Sequence, residues 1–411
     1  MPTKAKTDPG TRRSVIVTFK PKDKRTDKQK DKLQIVQEAI SSEVHFMNAA
    51  EISFDRIGPI AGLAHEVVGY DINLYEAPIV SLSLTGAEIE RLSANSNVAA
   101  VEEDGLFFAL PQALTFEGQP SPQAETVPVG VSQIKAPPAW DASRGKGIKV
   151  AILDTGIDAL HPDLVPNVKG AVSFVPGETP ADGNGHGTHC AGTIGAALTG
   201  SGVVGVAPAA WLYAVKVLSN SGSGNWSWFI AGVNWCIANK MNILNMSLGS
   251  AQNPGVAVEA ICNAAFANGL LLVAAAGNAG PQMNSVGYPG KYKNVVAVSA
   301  IDSSNVIATF SSRGPEVELT APGVNVLSTK PGGGFQTMSG TSMASPHIAG
   351  AAAVVWGAHR FATNMQIWNL LAASSDNLGV PGWDQLYGYG RPDVDKAATA
   401  MAPAPAFALK P

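Results

Sequence analysis

Three cysteines in 411 residues are too few to staple a fold. Cys190, Cys236 and Cys262 allow one disulfide at most, which excludes a cysteine-framework scaffold and leaves a hydrophobic core to hold the chain together. Charged residues make up only 15% and the formal net charge is -4, so there is no basic excess for nucleic acid or an anionic membrane. The Lys-rich stretch "KPKDKRTDKQKDK" is interleaved with Asp and reads as a solvated helix face, not a binding patch. No stretch is long, apolar and free of Pro or charge, so no membrane span is expected. The opening "MPTKAKTDPGTRR" also lacks the apolar run of a secretory signal, which leaves two expectations: a leader removed earlier, or another route. There is no internal repeat.

What is present is enough apolar material, at 45% of the residues, for one large core and a smaller domain. Residues 14–104 alternate strand-like "SVIVTFK", helical "QKDKLQIVQEAISSEV", strand-like "PIVSLSLT", helical "GAEIERLSAN" and strand-like "VAAVEED". That order predicts a small ferredoxin-like α+β domain of the split-βαβ kind, within a first segment ending at residue 110. Residues 111–126, "PQALTFEGQPSPQAET", are polar and Pro-rich and read as a linker open to proteases. From Lys146 the pattern changes to short apolar runs between Gly-rich turns: "KVAILDT", "LYAVKVL", "NILNMSLG", "LLLVAAAGN" and "NVVAVSAID". Such runs are buried on both faces, and with helical stretches between them they predict a doubly wound, mostly parallel α/β sheet over 127–397. Functional groups then gather at the carboxyl ends of the strands, where Asp154, Ser247, Asn278 and Asp302 stand. The tail, 398–411, is rich in Ala and Pro and is expected to be disordered.

"VAILDTGID", residues 150–158, contains the Asp-Thr-Gly of aspartic proteases. That chemistry needs two carboxylates sharing one proton, usually from two copies in an all-β setting. A second copy is absent and the parallel pattern is wrong for it. A serine reading finds more. "DGNGHGTHCAGT" places His186 between glycines at the start of a helical segment, and "MSGTSMASPHIAG" places Ser342 just before a long apolar helix, with Pro346 expected in its first turn. Attack develops negative charge, which a helix N-terminus favours, and the hydroxyl needs a base. His186 is the candidate base and Asp154 its orienting partner. A zinc site at His186, His189 and Cys190 lacks the Glu of the zinc-protease motif, and His189 and Cys190 read as packed residues. An esterase elbow needs Gly-x-Ser-x-Gly, whereas Ser342 lies in Gly-Thr-Ser-Met-Ala. With every catalytic position occupied, nothing favours a peptide-binding pseudoprotease.

The order Asp, His, Ser, with "AILDTGID", "GHGTHCAGT", "NMSLG", "VAAAGN" and "SGTSMASPHIAG", resembles the subtilisin-type serine proteases over residues 127 to about 397. The resemblance implies an endopeptidase with no catalytic cofactor, acting as a monomer on protein substrates outside the cell. It matches Asn278 to the oxyanion-stabilising amide, with the Ser342 N–H as second donor. Ser247, Leu248 and Gly249, with Ala274, Ala275, Ala276 and Gly277, match the walls of the primary pocket and Gly287 its floor. No acid stands among them, so large apolar or aromatic side chains are expected there. The backbone of Gly222, Ser223 and Gly224 would hold substrate as an added strand. Trp226 either borders the pocket three residues upstream or is an ordinary half-buried helix aromatic. The first domain resembles the family's inhibitory propeptide, with Phe107 and Leu110 filling apolar pockets. Pro111 on the leaving side of Leu110 disfavours a cut there and moves the expected cut to Leu114 or Phe116. The resemblance also implies structural calcium, with Asp163 and Asp302 as ligands. It leaves the pairing of Cys236 and Cys262 open.

Overall fold

The computed structural model describes residues 11–40, 44–48, 67–72, 78–110, 115–119 and 124–400. The tail from residue 401 and linker residues 111–114 and 120–123 lie outside the described residues, and with them the expected tail disorder and the cut after Leu114.

Seven strands form one sheet in the spatial order Val317–Pro322, Val296–Ile301, Leu271–Ala275, Ile243–Met246, Lys149–Asp154, Trp211–Lys216, Val168–Ser173. Every neighbouring pair is parallel. Alternate residues of one strand serve two cores. Val150 and Ile152 pack with the helices His186–Gly195 and Thr341–Ala358, while Ala151 and Leu153 pack with Trp226–Ala238 and Val256–Ala267. Burial on both faces is why these strands read as unbroken apolar runs. The strand order reverses at Lys149–Asp154, the first of the seven in sequence and fifth across the sheet. A reversal opens a crevice at the carboxyl ends of the strands, and Asp154 is the last residue of that strand.

The helix Thr341–Ala358 begins one residue before Ser342 and contains Pro346 as an interior residue, not in the first turn as expected. Pro346 has no N–H to give the Ser342 carbonyl. That carbonyl accepts instead from Ser247 Oγ at 2.8 Å and Cys190 Sγ at 3.5 Å. The proline thus directs a hydrogen bond sideways and ties the helix start to two neighbouring elements. All three cysteines are buried free thiols, which answers the question about Cys236 and Cys262.

The amino-terminal domain is a five-stranded sheet in the order Val44–Asn48, Val67–Ile72, Ile79–Leu84, Arg13–Phe19, Val98–Glu103. Its helices Lys32–Ala39 and Gly86–Ser93 each open with a reciprocal capping box, Asp31 with Gln34 and Thr85 with Glu88. Val15, Val17 and Phe19 form its own core with Val36, Leu82 and Leu92, whereas Ile16 and Ile79 point the other way into the α/β domain. Two acids complete that contact. Glu102 accepts from the Val256 and Ala257 N–H groups at 2.7 and 3.2 Å, and Asp104 accepts from Ser227 N and Oγ at 2.9 and 2.7 Å. Each caps the positive end of a helix in the other domain, where unpaired N–H groups and the helix dipole favour an anion. Among the described residues no helix is long and apolar enough to cross a membrane.

Candidate active site

The reversal point brings together residues from three elements. Asp154 comes from its strand end, His186 from the first turn of His186–Gly195, and Ser342 from the first turn of Thr341–Ala358. His186 Nδ1 donates to Asp154 Oδ1 at 2.7 Å. A carboxylate only accepts, so Nδ1 carries a proton, and in the neutral ring Nε2 carries the lone pair. Nε2 has no hydrogen-bond partner, and Ser342 Oγ donates to the Ser247 carbonyl at 3.1 Å. All three side chains are 1% exposed or less.

A buried network fixes the carboxylate and the ring. The Thr155 N–H donates to Asp154 Oδ1 at 2.7 Å. Asp182 Oδ1 accepts from Thr155 Oγ1, Asn184 N and Gly185 N, and its Oδ2 accepts from Thr188 N and Oγ1, all within 3.0 Å. Asp182 therefore caps the helix that begins at His186. Beneath it the fully buried Lys216 donates to the Thr155 carbonyl and to Asn220 Oδ1, and pairs with Glu178 at 3.1 Å. Burial alone pushes the His186 pKa down. The charge and hydrogen bond of Asp154, with the charge of Asp182, outweigh it and hold the pKa above its ordinary value.

Asp154, His186 and Cys190 are, among the described residues, the one trio of acidic or soft ligands close enough to share an ion. Burial, followed by the charge of Asp154, pushes the Cys190 thiol well up, and His186 Nδ1 is taken by Asp154. A protonated thiol and an occupied ring nitrogen make poor metal ligands, so this trio does not read as a transition-metal site.

Asn278 Oδ1 accepts from Thr341 N at 3.0 Å and Thr341 Oγ1 at 2.8 Å, which fixes which way the amide faces. A Cβ built on Gly340 would lie 3.3 Å from Asn278 Nδ2 and 3.7 Å from Ser342 N. Both nitrogens thus border one small volume beside Ser342.

The strand Leu106–Ala109 lies antiparallel between Ser223–Asn225 and Leu248–Gly249, with Phe107 opposite Gly224 and Ala109 opposite Leu248. The Ala109 N–H donates to Gly222 O at 2.8 Å. Leu110 then lines a cavity of about 170 Å³ with Leu248, Gly249, Ser250, Ala251, Ala275, Ala276, Gly277, Asn278, Ala279, Ser285, Gly287, Tyr288 and Ser312. Two expected residues are not in the lining. Ala274 is a buried strand residue, and Ser247 spends its hydroxyl on the Ser342 carbonyl. Gly287 is backed so closely that a Cβ there would meet the Ser250 carbonyl at 3.0 Å. Phe107 is fully buried, with its ring 4.7 Å from Trp226 and 5.9 Å from Phe229. Trp226 is itself 2% exposed, so it is a packed wall around Phe107 and not a half-buried aromatic.

Asp163 Oδ2 accepts from Val203 N at 2.8 Å, and Glu125 accepts from Gly200 N at 2.6 Å in the same loop. Burial raises the Asp163 pKa, and the Glu125 charge adds to the rise. Both acids are thus turned to backbone N–H groups of this loop, and the Thr199 hydroxyl is turned to the Ser201 carbonyl. Asp302 Oδ1 accepts from Ser304 N and Val306 N, which makes it the acceptor of its own turn.

The motifs marked Asp154, His186, Asn278 and Ser342. They left out Asp182, Thr155, Lys216 and Thr341, which hold those four in place. Asp182 had a readable signal, an acid ahead of the helix that starts at His186. Lys216 had none, because a lysine at a strand end gives no sign of full burial.

A parallel α/β sheet with a serine, a histidine and an aspartate at its reversal point offers the groups that a serine peptidase uses. Residues 145–390 match the model described as "Subtilase family", and the chain belongs to that family. It is 44% identical over 315 residues to Subtilisin E of Bacillus subtilis (strain 168), covering 75% of this chain and 78% of that protein. To Subtilisin of Bacillus pumilus it is 47% identical over 280 residues, 67% of this chain and 100% of that one. To the Alkaline protease of Shouchella clausii it is 43% identical over 322 residues, 78% of this chain and 79% of that one. The chain is a subtilisin-type serine endopeptidase acting on proteins, and this chemistry needs no cofactor.

Proposed function

We propose that the chain is a self-processing zymogen of broad specificity, that Asp154, His186 and Ser342 are its catalytic residues, and that it prefers large apolar or aromatic side chains before the cut bond. Ser342 Oγ attacks the carbonyl carbon while His186 Nε2 takes its proton, and Asp154 stabilises the imidazolium. The oxyanion is held by Asn278 Nδ2 and Ser342 N. His186 then returns the proton to the departing amine, leaving an acyl group on Ser342. Water, deprotonated by the same Nε2, releases the acid and restores the hydroxyl. Asp163 would hold structural calcium, with no part in these steps. From the family resemblance we infer that this action takes place outside the cell.

The observation that carries the reading is the seat of Leu106–Leu110, with Phe107 against Trp226 and Leu110 at a cavity whose lining has no acid. The amino-terminal domain then acts as the inhibitor, held by Glu102 and Asp104. The test is to incubate the purified chain with casein while following its intact mass, and to add a fluorophosphonate probe that acylates activated serines. Loss of the first hundred-odd residues, clearing of casein and one label at Ser342 are expected. A stable chain that takes no label would overturn the proposal.

Gly340→Ala tests the oxyanion assignment. Gly340 has φ 163°, extended backbone that alanine adopts without strain. Its methyl would occupy the volume between the two donor nitrogens. We expect kcat to fall by roughly 10²-fold or more, the scale for loss of one such donor, with little change in melting temperature. An unchanged kcat would place the oxyanion elsewhere.

A further inference from the structure

We propose that Asn220 is a positioning residue for the acyl-side half of the substrate, fixing the turn at 219–223 so that the Gly222 carbonyl and the strand Ser223–Asn225 stay in place to pair with an extended chain. This rests on the protease reading above and assigns that binding edge its support.

The edge has little structure of its own. Residues 219–223 are closed by two backbone bonds, Ser219 N to Ser223 O and Gly222 N to Ser219 O, both 2.8 Å. The strand that follows is three residues long, and among the described residues it pairs only with Leu106–Ala109, the segment seated where substrate would lie. Once that segment leaves, no strand lies beside the edge. Its position must then come from the residues behind it.

Asn220 makes that connection with its main chain and its side chain together. Its Oδ1 accepts from Lys216 Nζ at 2.9 Å and Gly183 N at 3.1 Å, its N–H donates to Glu178 Oε2 at 2.9 Å, and its carbonyl accepts from Asn184 Nδ2 at 3.1 Å. An amide oxygen has two lone pairs, and both are used. Lys216 is the anchor. It is fully buried, stands opposite Asp154 in the neighbouring parallel strand, and has Thr155 O, Asn220 Oδ1 and Glu178 Oε2 around its ammonium. One buried cation therefore joins the turn after Asp154, the residues 178–185 that lead to His186, and the turn that pairs with the acyl side. Packing there is close as well, since a Cβ built on Gly183 would meet Asn220 Cγ at 2.6 Å. An edge that is already ordered costs a substrate less to bind than one it must order itself. None of the bonds of Asn220 goes to the side chains of Asp154, His186 or Ser342, so its influence falls on the acyl side and not on the reacting groups.

The experiment compares Asn220→Ala and Asn220→Asp with the parent chain, each left to process itself and counted by fluorophosphonate titration of its active serine. Asn220 is exposed, so shortening it opens no cavity in the core. Two esters with the same leaving alcohol are used. Acetyl-Leu has no N–H to offer the Gly222 carbonyl, whereas acetyl-Leu-Phe-Phe-Ala-Leu repeats residues 106–110 and pairs with the whole edge. We expect Asn220→Ala to lose about tenfold in kcat/KM on the long ester, through KM, with the short ester unchanged; that is the scale of one or two net hydrogen bonds. Asn220→Asp keeps the accepting oxygen and should keep the parent's preference for the long ester. Equal losses on both esters would overturn the inference, because Asn220 would then act on the reacting groups or the whole fold, and so would no loss on either. An aspartate variant that loses as much as the alanine one would overturn it too, since the accepted bonds would not be the cause. So would an alanine variant with no titratable site, the residue then serving the whole fold. If the parent hydrolyses neither ester, the protease reading fails and this inference with it.

Discussion

Ser342→Ala is expected to leave the 411-residue chain at full length and to lower casein hydrolysis by about 10⁶-fold in kcat. Asp154→Asn should cost less, about 10⁴-fold, because the nucleophile and base remain but the amide no longer holds the proton on His186 Nδ1. The first magnitude is the one known for subtilisin itself. The two variants should also differ in pH dependence. Asp154 is the main influence raising the His186 pKa against burial, so its loss lowers that pKa and moves the acid limb of kcat/KM to lower pH. Folding should hardly change in Ser342→Ala. The hydroxyl gives one hydrogen bond to the Ser247 carbonyl, worth about 1 kcal/mol net, and the return bond from Ser247 Oγ to the Ser342 carbonyl is untouched. Intact mass, casein clearing and a melting curve on each chain read these outcomes together. Trimming of Ser342→Ala at the parent's rate would show that Ser342 does not make the first cut.

Acidification below about pH 6.5 is expected to lower the melting temperature steeply, through two histidines outside the catalytic chemistry. His189 donates through Nε2 to the Val326 carbonyl at 2.9 Å, and His347 through Nδ1 to the Met343 carbonyl at 2.8 Å. The second nitrogen of each ring is buried without a partner. Burial pushes the pKa of His189 down to about 3 and that of His347 down to about 4, from an ordinary value of 6.5. Between those values the unfolded chain binds protons that the folded chain refuses. Stability is therefore complete above pH 6.5 and is lost as pH falls, until about pH 4 for His347 and about pH 3 for His189. Each ring removes up to about 1.4 kcal/mol per pH unit in that window. Asp104 and Asp163 have raised values and act in the opposite sense upward from their ordinary 3.8, whereas the raised value of His186 acts only above pH 6.5. Melting curves of Ser342→Ala from pH 8 to pH 4 avoid self-digestion. Adding His347→Gln should flatten the slope even if the plateau at pH 8 is lower, and an unchanged slope would remove His347 as a cause.

What the sequence determined by itself was short-range chemistry. Apolar runs without alternation mean strands buried on both faces, and the two cores that share Val150 with Ile152 and Ala151 with Leu153 follow from that. Asp154, His186, Asn278 and Ser342 each lie at a strand end, turn or helix start within a short local sequence pattern, so their motifs were readable one at a time. The absence of acids from the pocket lining was readable in the same way, although Ala274 and Ser247 were placed in that lining and are not. The tertiary structure alone decided which distant groups meet. No local pattern tells that Pro346 frees the Ser342 carbonyl for Ser247, that Asp182 satisfies five donors around Thr155 and Thr188, or that Lys216 is wholly buried. Nor does any pattern tell that Thr115–Gln119 pairs with Gly334–Met338, some two hundred residues away. Backbone edges and buried polar atoms carry almost no sequence signature, because any residue supplies an N–H and a carbonyl. Their partners are fixed only when the whole chain packs and every buried donor must find an acceptor.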